Sequence, residues 1–122
     1  MDKTSKEYEQ LVKIYDSLKK VGEENKVRAI KRVVLLVGDG ALVDRSLMAY
    51  MWKDFVKEKN DDMLKNSEMI CEGIRLQSKC LDCSKTFDTS KFGKTCPYCN
   101  SENTQITQGV EIFIKQIEVF DY

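Results

Sequence analysis

The 122-residue chain contains no histidine and only one proline. Without an imidazole, it lacks the side chain that most often serves as a general base near neutral pH. It also shows no nucleophile paired with a base, no recognisable pair of catalytic carboxylates and no cofactor-binding loop. The sequence therefore predicts a protein that is not an enzyme.

Long apolar runs are missing as well. No segment approaches the roughly 20 apolar residues of a membrane-spanning helix. The opening letters MDKTSKEYEQ contain no apolar stretch typical of an export signal. Lysine plus arginine and aspartate plus glutamate balance at 20 each, so the formal net charge is zero. We therefore expect a cytoplasmic protein whose partners include neither a membrane nor a nucleic acid.

The cysteines of this chain carry the clearest indication of a site. Four of the five cysteines form two C-x2-C pairs separated by twelve residues, namely Cys80, Cys83, Cys96 and Cys99. Disulfides belong to oxidising compartments, so this spacing in a cytoplasmic protein favours a metal ion held by four thiolates. Zinc prefers such a tetrahedron, although sulfur-only sites also hold iron and the spacing does not separate the two ions. Four protein ligands leave no open position for water, so the predicted role of the ion is structural.

The residues beside the two pairs fit this interpretation. Pro97 stiffens the second pair, and Asn100 follows it as a residue type that tolerates positive φ. Ser84 occupies the equivalent place after the first pair. The loops also carry four lysines, Lys79, Lys85, Lys91 and Lys94. These lysines fit either a negatively charged tetrathiolate centre or an ordinary solvated loop. The fifth cysteine, Cys71, is predicted to be a small buried apolar side chain rather than a reactive thiol.

Two amphipathic helices are predicted in the first half of the chain. Thr4 and Glu7 have capping-box spacing, and the apolar residues that follow recur at three and four positions until a stop at Gly22. Asp44 is the predicted cap of the second helix. The apolar face of that helix contains Leu47, Met48, Met51, Trp52, Phe55 and Val56. We interpret both apolar faces as core packing.

Three strands are predicted, at 27–37, 69–79 and 106–120, from their β-branched composition and alternation. The VGDG motif that ends the first strand lacks the pattern of a phosphate-binding loop and is predicted to be a turn. Gly109, inside the last segment, is a predicted bulge or close-approach point. We expect the first and last strands to pair with the strand that lies between them in the chain.

Together these elements predict an α+β fold, with a small sheet of about three strands, two helices on one face of it and an inserted zinc-ribbon lobe. The expected domains are an α/β domain of residues 1–77 with 104–122 and a zinc-binding lobe of residues 78–103. So short a lobe buries too little apolar surface to fold without its ion. Metal binding and folding of the lobe are therefore expected to be coupled.

Three stretches of the sequence carry a resemblance to a known family. They are VVLLVGD, the two cysteine pairs with their CPYCNS end, and the closing TQGVEIFIKQIEV. From about Val27 to Val119 the chain resembles the HypA family of nickel metallochaperones. The resemblance implies that the four paired cysteines are zinc ligands and that the α/β domain is the nickel-type domain. It also implies a role in the maturation of [NiFe]-hydrogenase, and in some bacteria of urease, with a HypB-type GTPase and the hydrogenase large subunit as partners.

The resemblance does not extend to the nickel ligands. Family members bind nickel at an N-terminal Met-His-Glu or Met-His-Gln, through the terminal amine, a backbone nitrogen and the imidazole. This chain begins Met1-Asp2-Lys3, so its nickel ligands are unknown. Two functions follow from the resemblance. One is a metallochaperone or accessory protein with structural zinc and transiently bound nickel, and the other is a divergent adaptor that binds partners but carries no nickel.

Two further classes stay open from the residues alone. A nucleic-acid-binding zinc ribbon would need a basic face with exposed aromatic side chains, and only Arg28, Arg32 and the lysines of the lobe point to one. A redox protein would hold iron in place of zinc. The colour and metal content of the purified protein distinguish the iron protein from the zinc protein.

We expect the zinc-loaded protein to bind nickel weakly. A carboxylate from Asp2 is a harder ligand than an imidazole and suits nickel(II) less well, and Lys3 adds a positive charge beside it. Isothermal titration calorimetry of zinc-loaded protein with its native N-terminus measures this affinity. Submicromolar nickel binding would contradict the expectation and would exclude the adaptor without nickel.

Overall fold

The computed structural model describes residues 4–120. Within this range the chain forms three α-helices, which are α1 (Lys6–Glu24), α2 (Arg45–Lys59) and α3 (Thr89–Phe92). It also forms six strands, which are β1 (Ile30–Gly38), β2 (Glu68–Ile74), β3 (Gln77–Cys80), β4 (Thr86–Asp88), β5 (Thr104–Gln108) and β6 (Ile112–Val119). The predicted α+β class, with a small three-stranded sheet and an inserted four-cysteine lobe, is confirmed. Among the described residues, every helix is too short or too polar to span a bilayer.

The chain divides into two compact units. The first contains the described residues up to Leu36, the segment Val43–Glu72 and the described residues from Phe113 onward. The second contains Val37–Leu42 and Gly73–Ile112. This second unit includes the whole of the expected zinc-binding lobe, and the boundaries at 77 and 104 stay predictions.

Helix α1 differs from its predicted limits at both ends. Ser5, rather than Thr4, caps the helix, because its hydroxyl accepts the Tyr8 N–H at 3.1 Å. The helix also continues past the predicted stop at Gly22 and ends at Glu24. Gly22 lies buried in the last turns of α1 because the Met63 side chain fills the place that a Cβ would take.

Helix α2 begins as predicted. The Asp44 carboxylate accepts the Leu47 N–H at 3.0 Å and so caps the first turn. Leu47 itself is 40% exposed and does not join the core. The other residues of the predicted apolar face are buried, namely Met48, Met51, Trp52, Phe55 and Val56.

Aromatic contacts join the two helices. The Phe55 ring meets the rings of Tyr8 and Tyr15 edge-on, each with a centroid separation of 5.6 Å. On α2 itself, Trp52 stacks against Phe55 at 5.7 Å. The tyrosines of α1 are half-buried and pack against the buried Phe55, which agrees with the predicted packing role of their face.

The sheet of the α/β part has the strand order β2-β1-β6. The expectation that the second strand in the chain would be central is wrong, because β1 occupies the centre. Burial supplies the reason, since Lys31 is the only exposed residue of β1 whereas Met69 is the only buried residue of β2. A strand as apolar as IKRVVLLVG is stabilised best with a neighbour on each edge.

Two of the predicted strands are each divided between two sheets. The segment 69–79 forms β2 and β3, and the segment 106–120 forms β5 and β6. The second sheet has the order β4-β3-β5. Gly109 is therefore a break between strands rather than a bulge within one, and its φ of +96° suits glycine.

Backbone contacts hold the chain at this break. The Gly40 N–H donates to the Gly109 carbonyl at 2.7 Å, and the Gly38 N–H donates to the Glu111 carbonyl at 2.9 Å. A Cβ on Gly109 would lie 2.5 Å from the Arg75 carbonyl oxygen. The predicted VGDG turn is observed as a 3-10 turn at Asp39–Ala41. Its backbone packs directly against the backbone of Gly109 and Glu111.

We expect Gly109→Ala to lower the free energy of unfolding by at least about 2 kcal/mol, because a strained φ adds to a clash with backbone. Gly93→Ala is the matched control. Gly93 also has positive φ (+63°), but nothing lies within 4 Å of its added Cβ. Urea denaturation of both variants under identical metal conditions makes the comparison. Equal losses of unfolding free energy in the two variants would show that the close approach at Gly109 contributes nothing to stability.

Candidate metal centre

The second sheet brings the two cysteine pairs together. Its central strand, β3, pairs antiparallel with β4 and with β5. Cys80 is the last residue of β3, so the first pair begins where the strand ends. Thr104, the first residue of β5, is the partner of Cys80 in the β3–β5 register. The chain that follows the second pair therefore returns beside the first pair.

The four sulfur atoms form one group, in which all ligand atoms lie within 4.8 Å of one another. The sulfurs of Cys80 and Cys99 are 3.5 Å apart, and those of Cys83 and Cys96 are 3.7 Å apart. Cys80 and Cys96 are buried, Cys83 is half-buried and Cys99 is exposed. Sulfur donors at these separations suit a soft or borderline ion such as zinc or iron.

The two cysteine pairs share two backbone features. Ser84 and Asn100, each directly after a pair, have φ values of 67° and 62° as the sequence predicted. The Ser84 N–H donates to the Cys80 carbonyl at 2.9 Å, and the Asn100 N–H donates to the Cys96 carbonyl at the same distance. Each pair is thus a tight turn that points both of its sulfurs in one direction.

Backbone N–H groups also point at the sulfurs. The Cys83 N–H donates to the Cys80 sulfur at 3.4 Å, and the N–H groups of Lys85 and Ser101 do the same for Cys83 and Cys99. The Cys83 N–H is the main reason that the pKa of Cys80 falls to about 7 although burial opposes it.

The pKa of Cys99 moves in the opposite direction. The Ser101 N–H lowers it, but the neighbouring Cys80 sulfur, burial and the remaining sulfurs together raise the pKa of Cys99 to about 12. The first cysteine of this cluster loses its proton readily. Each further deprotonation is less favourable, because it places another negative charge beside the first. A cation among the sulfurs removes that obstacle.

A polar clamp joins the two pairs, and sequence reasoning missed it. The Asp82 carboxylate, inside the first pair, accepts hydrogen bonds from the Ser101 hydroxyl and, at 3.2 Å, from the Asn103 side-chain amide. These bonds lower the pKa of Asp82. The Leu81 N–H donates to the Asn103 carbonyl at 2.9 Å. The only signal in the sequence is an acid within one pair and polar residues just after the other.

Little apolar surface is buried around the sulfurs. Phe87 is 5% exposed and packs with the cysteines, and its ring meets that of Phe92 edge-on at 6.5 Å. Leu81, Phe92 and Tyr98 are exposed by 52%, 47% and 60%. One buried aromatic side chain is a small core, so the lobe needs a further source of stability.

The remaining predicted residues are placed as follows. The four lysines near the cysteine pairs are exposed, although Lys79 lies in β3 and Lys91 in α3 rather than in loops. The Lys85 ammonium lies 4.7 Å from the centroid of the Tyr98 ring. Cys71 lies in β2, outside the sulfur group, and is half-buried rather than fully buried. Burial raises the pKa of Cys71 to about 11, which agrees with an unreactive thiol. Asp2 and Lys3, discussed above as a nickel site, lie outside the described residues.

Comparison with known proteins adds three findings. The family model described as "Hydrogenase/urease nickel incorporation, metallochaperone, hypA" matches residues 6–119. Hydrogenase maturation factor HypA of Aquifex aeolicus is 31% identical over 96 residues, which cover 79% of this chain and 81% of that protein. Hydrogenase/urease maturation factor HypA of Helicobacter pylori is 30% identical over 101 residues, or 80% and 82% of the two chains.

A solved structure agrees with these sequence matches. The solution structure of the Ni metallochaperone HypA from Helicobacter pylori aligns with a TM-score of 0.70 and 25% identity. The alignment covers 95% of this chain and 98% of that chain. The similarity therefore extends over both units rather than over the cysteine pairs alone.

Proposed function

We propose that this chain, which belongs to the HypA family of hydrogenase and urease nickel metallochaperones, is an accessory protein of nickel-enzyme maturation with one structural zinc ion in its lobe. The observation that carries the proposal is the convergence of four cysteine sulfurs within 4.8 Å in a chain of this family. The proposed zinc ligands are Cys80, Cys83, Cys96 and Cys99.

The lobe supports zinc as a structural ion in two ways. Four thiolates fill a tetrahedron and leave no position for water or substrate. Zinc binding to comparable peptides contributes on the order of 10–16 kcal/mol at neutral pH, far more than one buried Phe87 side chain supplies. The proposed ion therefore stabilises the lobe and takes no part in a reaction.

Nickel, in this proposal, is cargo that is handled apart from the zinc. Its ligands stay unassigned, because the four cysteines are the only group of three or more potential ligand side chains within residues 4–120. The adaptor without nickel remains the second candidate, since no residue of the chain is a histidine. Nickel titration of the zinc-loaded protein distinguishes these two functions.

The proposed partners are a HypB-type GTPase and the large subunit of [NiFe]-hydrogenase. Family membership supports a role in hydrogenase maturation, which requires contact with other maturation proteins. The resemblance supplies the identity of these two partners.

We expect purified protein to contain one zinc ion per chain. Cys99→Ser should weaken zinc binding by more than the roughly 10–100-fold that loss of an outer-shell partner costs, because it removes a ligand. Cys99 is the most exposed of the four, so serine there disturbs packing least. Cys71→Ser, outside the sulfur group, is the control and should retain full zinc.

Mass spectrometry measures the metal content of both variants, and competition with a chromogenic chelator measures their zinc affinity. Iron in place of zinc, an empty site in gently prepared protein, or zinc loss in Cys71→Ser would each contradict the assignment.

We further expect zinc-loaded wild-type protein to bind a purified HypB-type GTPase or hydrogenase large subunit. Surface plasmon resonance with each immobilised partner measures the interaction. Chelated protein is the control and should bind less if the lobe takes part. Absence of binding to both partners would count against a role in maturation.

A further inference from the structure

The first unit carries a groove of about 250 Å³ between α2 and the segment 65–68. Its floor is formed by Val56, which is 1% exposed, and Ser67, which is 6% exposed. Three lysines line it, Lys53 and Lys57 from α2 and Lys65 from the facing segment. We call this feature the lysine groove.

Ion pairs offset only part of the positive charge of the lysine groove. Within the described residues, Lys53 and Lys57 make no ion pair. Lys65 forms an ion pair with Asp62 at 3.0 Å, so Lys53 and Lys57 supply the positive charge of the groove that is not ion-paired. Since the whole chain has a net charge of zero, this concentration of positive charge is a local feature.

One carboxylate lines the groove, and an arginine already engages it. Glu68 lies 2.6 Å from the Arg32 guanidinium, which also contacts Glu118 at 3.0 Å. Glu68 therefore offsets the lysines less than an unpaired carboxylate would. A bound anion would meet the ammonium groups of Lys53 and Lys57, together with Lys65 and Glu68, which each already have a partner of opposite charge.

Buried hydrogen bonds fix the two walls of the lysine groove relative to each other. The Trp52 indole N–H donates to the Ser67 hydroxyl at 3.0 Å, and this hydroxyl donates to the Leu64 carbonyl at 2.6 Å. Trp52 is fully buried, so helix and segment are held by packing as well. The groove is therefore formed before any ligand arrives, which reduces the entropic cost of binding.

The lining of the groove identifies the kind of anion that fits. No aromatic side chain lines it, so a nucleotide base has no ring on which to stack. No arginine lines it either, so phosphate lacks its bidentate partner. Asp54, Glu58 and Asp62 are exposed and neighbour the lysines in sequence, so a flat anionic membrane would meet acids as well as lysines. None of these three acids lines the groove, so a narrow peptide that bears carboxylates can contact the lysines there.

We propose that the lysine groove binds an acidic segment of the partner protein. This inference rests on the function proposed above, because it identifies the groove as one contact surface for the maturation partner. Lys53 and Lys57 are one helical turn apart and would each meet a carboxylate, with Lys65 contacting a third from the opposite wall.

The test compares two double charge reversals in zinc-loaded full-length protein. Lys53→Glu/Lys57→Glu changes the groove, and Lys13→Glu/Lys20→Glu changes two exposed lysines of α1 by the same total charge. The probe is a fluorescein-labelled octapeptide of alternating aspartate and glutamate, followed by fluorescence anisotropy. Circular dichroism confirms that each variant is folded, and Lys53→Gln/Lys57→Gln replaces the reversal if it is not.

We expect the groove variant to lose about tenfold in peptide affinity and the α1 variant less than about twofold. Added salt should weaken wild-type binding. Equal losses in the two variants would overturn the inference, because they would reflect net charge alone. Tighter binding to oligouridylate RNA or to phosphatidylserine vesicles than to the peptide would also overturn it.

A second measurement separates this inference from the proposed function. The same variants are titrated against a purified HypB-type GTPase. Tenfold weaker binding of the groove variant alone supports both proposals. Equal binding of wild type and groove variant overturns the groove as the contact and leaves the maturation role intact. If wild type binds the peptide but not the GTPase, the GTPase is not the partner. The preference of the groove for acidic peptides is then still supported.

Discussion

Repulsion among four sulfurs is the constraint on which the second unit depends. Within 4.8 Å of one another, these thiols cannot all ionise unless a cation balances them. The Cys83 N–H lowers the pKa of Cys80 to about 7, whereas, despite the Ser101 N–H, the neighbouring sulfurs and burial raise the pKa of Cys99 to about 12. Because the lobe buries so little besides Phe87, the energy of metal coordination must also supply most of its folding energy.

A different constraint, the close packing of backbone at Gly109, separates one sheet from the other. Its peptide accepts the Gly40 N–H and leaves no room for a Cβ beside the Arg75 carbonyl. The positive φ of Gly109 interrupts the extended backbone at this contact, and β5 and β6 belong to different sheets. The local backbone at one glycine thus decides that the cysteine pairs stand on a sheet of their own.

Local chemistry was predictable from the sequence, whereas contacts between distant segments were not. The spacing of the cysteines predicted one group of four ligands, and the residues directly after each pair, Ser84 and Asn100, predicted positive φ. Both predictions succeed because they depend on residues only a few positions apart. Helical periodicity located both long helices for the same reason. The central position of β1 and the polar clamp at Asp82 depend on residues far apart in the chain, and no local pattern records them. The lysine groove depends on how α2 packs against the segment that follows it, which helical periodicity does not show.

A site closed by four thiolates does not release its ion easily, because every coordination position belongs to the protein. A protein that delivers metal must therefore keep its cargo site separate from such a centre, and transfer then depends on where the partner docks. The lysine groove is suited to dock a partner, since the buried Trp52–Ser67 hydrogen bond fixes its walls while its lysines remain exposed. Charge of this kind raises affinity mainly through faster association, because opposite charges steer the two proteins together. A delivery protein benefits from fast association because it can bind its partner without releasing it slowly after each transfer.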